Sequence, residues 1–275
     1  PNLKSLSEAT EEDILALWTG LGFYRRAKNI FKTKEILKKD FKNIFPKTFE
    51  NIVSLPGIGE STAGAIMSIA YERSFPILDA NVKRTLSRFE LIKNDSTTKS
   101  NKVLWEFSRI HTPKEKIFEY TQGIMDMGAT VCTPLAPSCD ICPANKLCKS
   151  AFSVLKQKTK KKKINPTKKI NFVLAVNENA FLLFKKSEKT FWESLWIPYE
   201  LEAKNRLPWS QSFNNKEEIY YKHKLSHLDL DLNIQILHYD KKFKFKSNKE
   251  YKWIHISDID KFGLPKPIKS IMDRL

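Results

Sequence analysis

The chain has 275 residues, of which 41% are hydrophobic and 12% aromatic, so it is long enough for two ordinary hydrophobic cores. The sequence shows no run near the roughly 18 apolar residues of a membrane span, no signal peptide and no basic amphipathic helix suited to a lipid surface. The formal net charge of +17 favours a polyanionic partner, nucleic acid first, although a generally lysine-rich composition would also give a basic chain.

Residues 1–150 have the pattern of helices joined by short turns. Thr10, followed by three acidic residues, predicts a helix start. The helical spacing of apolar residues then recurs in three places, at Ile14, Leu17, Trp18 and Leu21, at Ala63, Ile66, Met67 and Ala70, and at Val82, Leu86 and Phe89. An all-α domain is therefore expected over residues 1–150.

The composition changes over residues 151–170. Eight of the fourteen residues from Lys156 to Lys169 are Lys, so charge repulsion and a shortage of apolar side chains predict a solvated linker. The run could contact phosphates or act only as a solubilising tether, and the sequence leaves both open.

Beyond the linker, over residues 171–275, the hydrophobic period becomes two. Residues 177–179 are typical of a hairpin turn, and residues 229–236 alternate polar and apolar side chains, as in a strand buried on one face. Ile268, Ile271, Met272 and Leu275 form the apolar stripe of a closing helix. The expected fold class is multidomain, with an all-α domain followed by a smaller α+β domain.

The four cysteines of the chain all fall in one short segment. They are Cys132, Cys139, Cys142 and Cys148, with the spacing C-x6-C-x2-C-x5-C. Disulfides explain such a cluster poorly in a chain without a secretion signal, so the thiols indicate one metal centre. The spacing alone leaves zinc and an iron–sulfur cluster open.

This array resembles the [4Fe–4S] loop of the endonuclease III and MutY-type DNA glycosylases, and residues 123–129 resemble the segment that precedes it. The resemblance implies a 4Fe–4S cofactor on a loop, 132–148, that presents backbone and basic groups to DNA. Residues 133–138 contain no Lys or Arg, however, so contacts would have to come from backbone amides, Lys146 or Lys149.

The segment Leu55-Pro56-Gly57-Ile58-Gly59 lies between two helical stretches. Its glycines allow a close approach of backbone, and the free amides at the next helix start favour an anion, although a tight turn between packed helices is the simpler explanation of this segment alone. With Ser61 and Thr62 following, it resembles the DNA-binding helix-hairpin-helix of MutY proteins. In bifunctional relatives a lysine occupies the position of Ser61, so the serine implies a monofunctional enzyme.

Asp79, in the segment from Phe75 to Arg84, resembles the catalytic aspartate of the family. Its simplest role is a helix N-cap, and the two roles are compatible. The resemblance implies that its carboxylate stabilises positive charge on the sugar as the adenine N-glycosidic bond breaks. Asn81 is expected to orient Asp79 or a water molecule, and Lys83 and Arg84 to meet phosphates.

The general-acid glutamate of the family, which lies in an N-terminal helix, is not found in this sequence. The chain is therefore expected to be truncated at its N-terminus and to be inactive or impaired as it stands. The segment that would follow that helix is present, with Phe23-Tyr24 where the family has two tyrosines. An aromatic ring there is expected to wedge beside the lesion.

Residues 171–275 resemble the Nudix-like domain at the end of MutY proteins. The glutamate-rich box that a Nudix hydrolase needs for magnesium is missing from the sequence, so pyrophosphatase activity is not expected. Leu225-Ser226-His227 resembles the Phe-Ser-His loop that reads 8-oxoguanine in the family. Because leucine cannot stack, lesion discrimination is expected to be weaker.

The resemblance implies a base-excision repair hydrolase that removes adenine mispaired with 8-oxoguanine or guanine. It would act as a monomer on double-stranded DNA, away from membranes, in the bacterial cytoplasm at the nucleoid. The alternative is a lesion-binding protein without catalysis in this form. An endonuclease III-like lyase is disfavoured by Ser61 and by the C-terminal domain.

Overall fold

The computed structural model contains two compact units, one formed by Pro1–Glu35 with Lys162–Leu275 and the other by Ile36–Lys161. The fold class is as expected, with a helical region followed along the chain by a region built on a mixed sheet. The expected boundary differs, because residues 1–35 group with the sheet. The structure describes residues 2–92, 97–153, 165–187, 191–201, 207–209, 213, 215–239 and 248–275.

The chain begins with α1 (Leu3–Glu8), α2 (Glu11–Leu17) and α3 (Arg25–Asp40). The predicted start at Thr10 is confirmed, because its hydroxyl accepts from the amide of Asp13 while the Asp13 carboxylate accepts from the amide of Thr10. Helix α2 ends before the predicted stripe does, and Leu17 and Leu21 are 85% and 61% exposed.

Within residues 36–161 the helices are short and joined by tight turns. Two apolar clusters hold them, one around Ile52 and Met67 and the other around Val82, Leu86 and Leu104. The helices are α4 (Phe49–Val53), α5 (Glu60–Ala70), α6 (Ala80–Phe89), α7 (Thr98–His111) and α8 (Ile117–Asp126), which continues into a π-helical turn over Met127–Val131.

The other unit contains a mixed sheet. Its elements are β1 (Thr167–Asn177), β2 (Ala180–Lys185), β3 (Trp196–Ile197), β4 (Tyr199–Glu200), β5 (Asn215–Lys224), β6 (Asp229–Tyr239), β7 (Tyr251–His255), a 3-10 turn (Ile256–Lys261) and α9 (Lys266–Met272). The strand order is β3-β2-β1-β6-β5, with β4 paired to β1 and β7 to β2. Strands β1 and β6 run parallel, and the remaining pairs are antiparallel.

The first 35 residues belong to this unit because α2 fills its core. Ile14 and Leu15 are 6% and 2% exposed and share a cluster with the inner residues of β1 and β6. A Cβ on Gly263 would lie 2.7 Å from the Cβ of Leu15, so the two segments are in backbone-close contact. The indole of Trp196 also donates to Glu12, at 2.5 Å. These contacts join residues that are far apart in the sequence, so no local sequence pattern predicts them.

The C-terminal predictions are largely confirmed. The turn at residues 177–179 joins β1 to β2, β6 is buried on alternate residues, and α9 closes the chain. The linker was drawn too long at its C-terminal end, because β1 begins at Thr167, where parallel pairing with Asp229 of β6 overrides the local charge. Residues 154–164 of the linker lie outside the described part. None of the described helices is long and apolar enough to cross a membrane.

Candidate functional site

The hairpin between α4 and α5 leaves the start of α5 open to solvent. Gly57 has φ of +80°, a conformation that suits glycine, and the Ile58 amide closes the turn on the Leu55 carbonyl at 3.1 Å. Gly57, Gly59 and Thr62 are exposed, and Pro56 is half-buried. Because Gly59 is the N-cap and offers no side-chain acceptor, the first amides of this 11-residue helix can receive an anion.

Ser61 connects the hairpin helix to the segment that carries Asp79. Its Oγ accepts a hydrogen bond from the Leu78 amide at 2.9 Å. One turn later, a Cβ on Gly64 would lie 2.3 Å from the carbonyl oxygen of Pro76, so only glycine allows this approach without a shift. Helix α5 and residues 76–78 are therefore held in one register.

Asp79 is the N-cap of α6. Its Oδ1 accepts from the Val82 amide at 2.8 Å, which confirms the N-cap interpretation. The preceding Ile77 and Leu78 are 2% and 4% exposed, and the Ser108 hydroxyl donates to the Ile77 carbonyl at 2.8 Å. The backbone before Asp79 is thus held by the core, and the half-buried carboxylate of Asp79 is held by the first turn of α6.

The residues after Asp79 are engaged within the unit. Asn81 Oδ1 accepts from Nη2 of Arg84 at 2.8 Å, and no hydrogen bond joins Asn81 to Asp79 in the described part of the chain. Arg84 also donates to the carbonyls of Gly128, at 2.5 Å, and Cys132, at 2.8 Å. Lys83 donates to Asn101 at 2.7 Å. Their expected contacts with phosphates stay predictions, and the structure gives each cation an internal partner.

The four cysteines line one cavity of about 400 Å³. Each is a free thiol and half-buried. Within the described ranges, no group of three or more His, Cys, Asp or Glu residues is close enough to hold a single metal ion. The donor chemistry of the residues present fits an iron–sulfur group, because four soft thiol donors line one cavity.

Arg88 is a residue of this site that the sequence analysis missed. It is 7% exposed, and it donates to the carbonyls of Thr133, at 2.7 Å, and Pro134, at 2.9 Å. Its Nη1 also lies 3.3 Å from Sγ of Cys132. The available signal was an arginine four residues after Arg84, on the same side of α6.

A second cavity, of about 690 Å³, lies in the sheet-containing unit. It brings the predicted aromatic pair Phe23-Tyr24 together with the predicted loop Leu225-Ser226-His227, which is some two hundred residues away in the chain. Its walls are cationic and aromatic, with Arg25, Lys28, Lys32, Lys224, Lys266, Phe191 and Trp192 among the lining residues.

The two residues of the predicted aromatic pair differ in exposure and in hydrogen bonding. Phe23 is 71% exposed, with φ of +48°, and its ring contacts the guanidinium of Arg26. Tyr24 is half-buried, donates to the Leu264 carbonyl at 2.6 Å and accepts from the Gly20 amide at 3.2 Å. Burial raises the pKa of the Tyr24 phenol. Phe23 is therefore the ring available for stacking.

The loop between β5 and β6 presents two polar side chains. The Leu225 amide donates to the Leu228 carbonyl at 2.8 Å, and Leu225 packs against the apolar cluster of the sheet. Ser226 and His227 are exposed, with Oγ and Nδ1 3.3 Å apart. Asn165 braces this loop, because its Nδ2 donates to the Leu225 carbonyl at 3.2 Å and to the Asp229 carboxylate at 3.1 Å.

His223 also lines the cavity, and the sequence analysis did not select it. Burial, together with the charge of Lys266, lowers the pKa of its imidazole. Glu193 is the acidic residue of the lining, and Lys28 holds its carboxylate at 2.8 Å. The cavity therefore carries a clear excess of positive charge, as an anionic ligand requires.

Comparisons with known proteins identify the family of the chain. Residues 1–109 match the model of the HhH-GPD superfamily of base excision DNA repair proteins, and residues 171–274 match the NUDIX domain. The chain is 39% identical over 285 residues to the adenine DNA glycosylase of Buchnera aphidicola subsp. Acyrthosiphon pisum, covering 99% of this chain and 81% of that protein. It is 38% identical to that of subsp. Schizaphis graminum, covering 99% and 82%.

Among solved structures, a thermostable thymine-DNA glycosylase shares 25% identity with a TM-score of 0.49, covering 54% of this chain and 69% of that one. The sequence relatives settle the assignment, since they match nearly the full length of the chain. The chain belongs to the adenine DNA glycosylase family of base-excision repair.

Proposed function

We propose that this protein hydrolyses the N-glycosidic bond of adenine mispaired with 8-oxoguanine or guanine in double-stranded DNA. The observation that carries the proposal is Asp79, fixed at the start of α6 and tied through Leu78 to Ser61 in the first turn of the hairpin helix. A phosphate on that helix would place its own strand beside the carboxylate.

Asp79 would act on the sugar. As the base departs, positive charge grows at the anomeric carbon, and a carboxylate already fixed in place stabilises it without reorganisation. The Val82 bond occupies Oδ1, so the carboxylate can face the sugar without losing its anchor.

The chemistry would be monofunctional. A Schiff base requires an amine nucleophile. The residue of the hairpin helix that bonds to the segment before Asp79 is Ser61, whose hydroxyl accepts a hydrogen bond from the Leu78 amide. Water is therefore the acceptor of the sugar.

Cys132, Cys139, Cys142 and Cys148 would hold a 4Fe–4S cluster. Such a cluster, when bound, cross-links the loop by four iron–thiolate bonds and leaves the glycosidic chemistry to the protein. Arg84 and Arg88 would fix the first ligand from α6, through the carbonyl of Cys132 and its sulfur.

The cavity of the sheet-containing unit would take the 8-oxoguanine. This base differs from guanine by a donor at N7 and an acceptor at C8, and the Ser226 hydroxyl can serve either. Phe23 would stack on or wedge beside the base, while the surrounding cations would hold the phosphates of the strand that carries it.

Binding and adenine release should be measured separately on 8-oxoguanine:adenine, guanine:adenine and undamaged duplexes at fixed salt. We expect tighter binding to both mispairs, most of all to 8-oxoguanine:adenine. In a version of the protein that carries the family's general-acid glutamate, which protonates the departing base, we expect release of adenine from both mispairs under single-turnover conditions. Equal affinity for all three duplexes without release would overturn the proposal. Selective binding without release would instead support the lesion-binding alternative.

A further inference from the structure

The C-terminal end of α6 carries a cluster of side chains that the glycosylase chemistry does not use. Glu90, the C-cap of α6, has a side chain that is only 7% exposed. Its Oε1 lies 2.6 Å from Nε2 of His111, and its Oε2 lies 2.5 Å from Nζ of Lys149. Two partners from different segments therefore meet on one buried carboxylate.

Each partner is further held by its surroundings. The ring of His111, at the end of α7, packs edge-on against Phe89 at 5.3 Å and is stacked with Phe107 at 6.2 Å. Lys149 follows the last cysteine of the array directly, and its amide donates to the Phe89 carbonyl at 2.9 Å. Backbone and side chain of Lys149 thus bind the same end of α6.

This cluster lies at the opposite end of α6 from Asp79. Helix α6 starts at Asp79, and its two arginines bind the first end of the cysteine loop at Cys132–Pro134. Glu90 binds the last end of the loop, beside Cys148. Both ends of the loop are therefore fastened to the helix that carries the candidate catalytic carboxylate.

The cluster also changes the interpretation of Lys149 as a phosphate contact. A lysine that neutralises a buried carboxylate contributes little charge to an approaching duplex. The hydrogen bond from Lys149, with that from His111, also holds the pKa of Glu90 below its ordinary value, so the carboxylate is charged at neutral pH.

We propose that Glu90 is a positioning residue which, through Lys149 and His111, fastens the last cysteine ligand to the end of α6 and slows loss of the metal centre. The part that concerns the metal centre rests on the proposed function. Lys149 itself is 58% exposed, so the burial of Glu90 is what makes this ion pair more than a surface contact.

Two measurements on the purified holoprotein test the proposal, with Glu90→Gln compared to the exposed, same-unit control Glu106→Gln. The first is the rate of iron release into a chelator, followed by the absorbance of the cluster. The second is hydrogen exchange of the amides around Lys149, whose bond to Phe89 should open more often. We expect each rate to rise on the order of fivefold in Glu90→Gln and to stay unchanged in Glu106→Gln.

Lys149→Gln should give a similar rise, and the double variant should add little to either single one, because both remove the same interaction. Equal rates in Glu90→Gln and Glu106→Gln would overturn the proposal, as would exchange that rises uniformly across the unit. If the wild-type protein held no iron, the proposed cluster would fail, and the exchange measurement would still decide whether Glu90 fastens the loop.

Discussion

The candidate catalytic segment and the candidate lesion cavity are assembled in opposite ways. Asp79 is fixed by residues close in sequence, since Ser61 and Leu78 are 17 residues apart and Val82 is three residues from the carboxylate. The cavity depends on contacts such as that between Tyr24 and Leu264, which are 240 residues apart. The candidate catalytic segment thus rests on local structure, while the candidate lesion cavity requires the packing of the sheet-containing unit.

The largest effect is expected from Asp79→Asn. Asparagine can keep the N-cap bond to Val82, but it loses the charge that acts mainly in the transition state. In a version of the protein that carries the family's general-acid glutamate, we expect single-turnover adenine release to fall by at least about a hundredfold, with affinity for the 8-oxoguanine:adenine duplex and the melting temperature nearly unchanged. Release at near wild-type rates would remove Asp79 from its role.

The close approach of Gly64 to Pro76 tests whether local contacts fix the candidate catalytic segment. In Gly64→Ala the new Cβ would lie 2.3 Å from the Pro76 carbonyl oxygen, which forces α5 away from the segment before Asp79. We expect the free energy of unfolding to fall by about 1–3 kcal/mol in denaturant titrations. Gly123→Ala is the control, because its Cβ would meet nothing within 4 Å. Equal stability of the two variants would show that α5 can shift freely.

Replacing both Ser226 and His227 by alanine tests the candidate lesion cavity, which is assembled by contacts distant in sequence. If this loop reads the base, the preference for 8-oxoguanine:adenine over guanine:adenine should shrink by about tenfold, while binding to undamaged duplex stays constant at fixed salt. His255 and Ser257 form a similar exposed pair, with Nδ1 and Oγ 2.8 Å apart, and their double alanine variant is the control. An equal loss on every duplex would indicate a phosphate contact only.

The smallest effect concerns the N-terminal cap. Hydrogen bonds from the Thr10 side chain and backbone hold the pKa of Asp13 below its ordinary 3.8, so Asp13 stabilises the fold above that value and less as pH falls through it. We expect Asp13→Asn to lower stability by less than about 1 kcal/mol at neutral pH. The difference from wild type should shrink below pH 4 in thermal melts, and a constant difference would contradict the prediction.

The sequence predicted what local chemistry determines. Thr10 and Asp79 both begin helices because their side-chain oxygens cap free amides, and alternation located β6 because one of its faces is buried. The partners of Arg88 and Glu90 could not be predicted, because spacing along a helix shows which side chains share one side of it but not which distant segment they contact. The packing of α2 on the sheet was missed for the same reason.

The brace at Asn165 has a kinetic consequence. Asn165 donates hydrogen bonds to Leu225 and Asp229, and four consecutive lysines, Lys160 to Lys163, end two residues before it in the sequence. If the lysines bind phosphates and the Ser226-His227 loop reads the base, as proposed, a duplex held by nonspecific charge would be retained at high effective concentration next to the loop. Salt should therefore change how often the protein encounters a lesion far more than how well it distinguishes one, and scanning and recognition become separately adjustable properties of a single short stretch of chain.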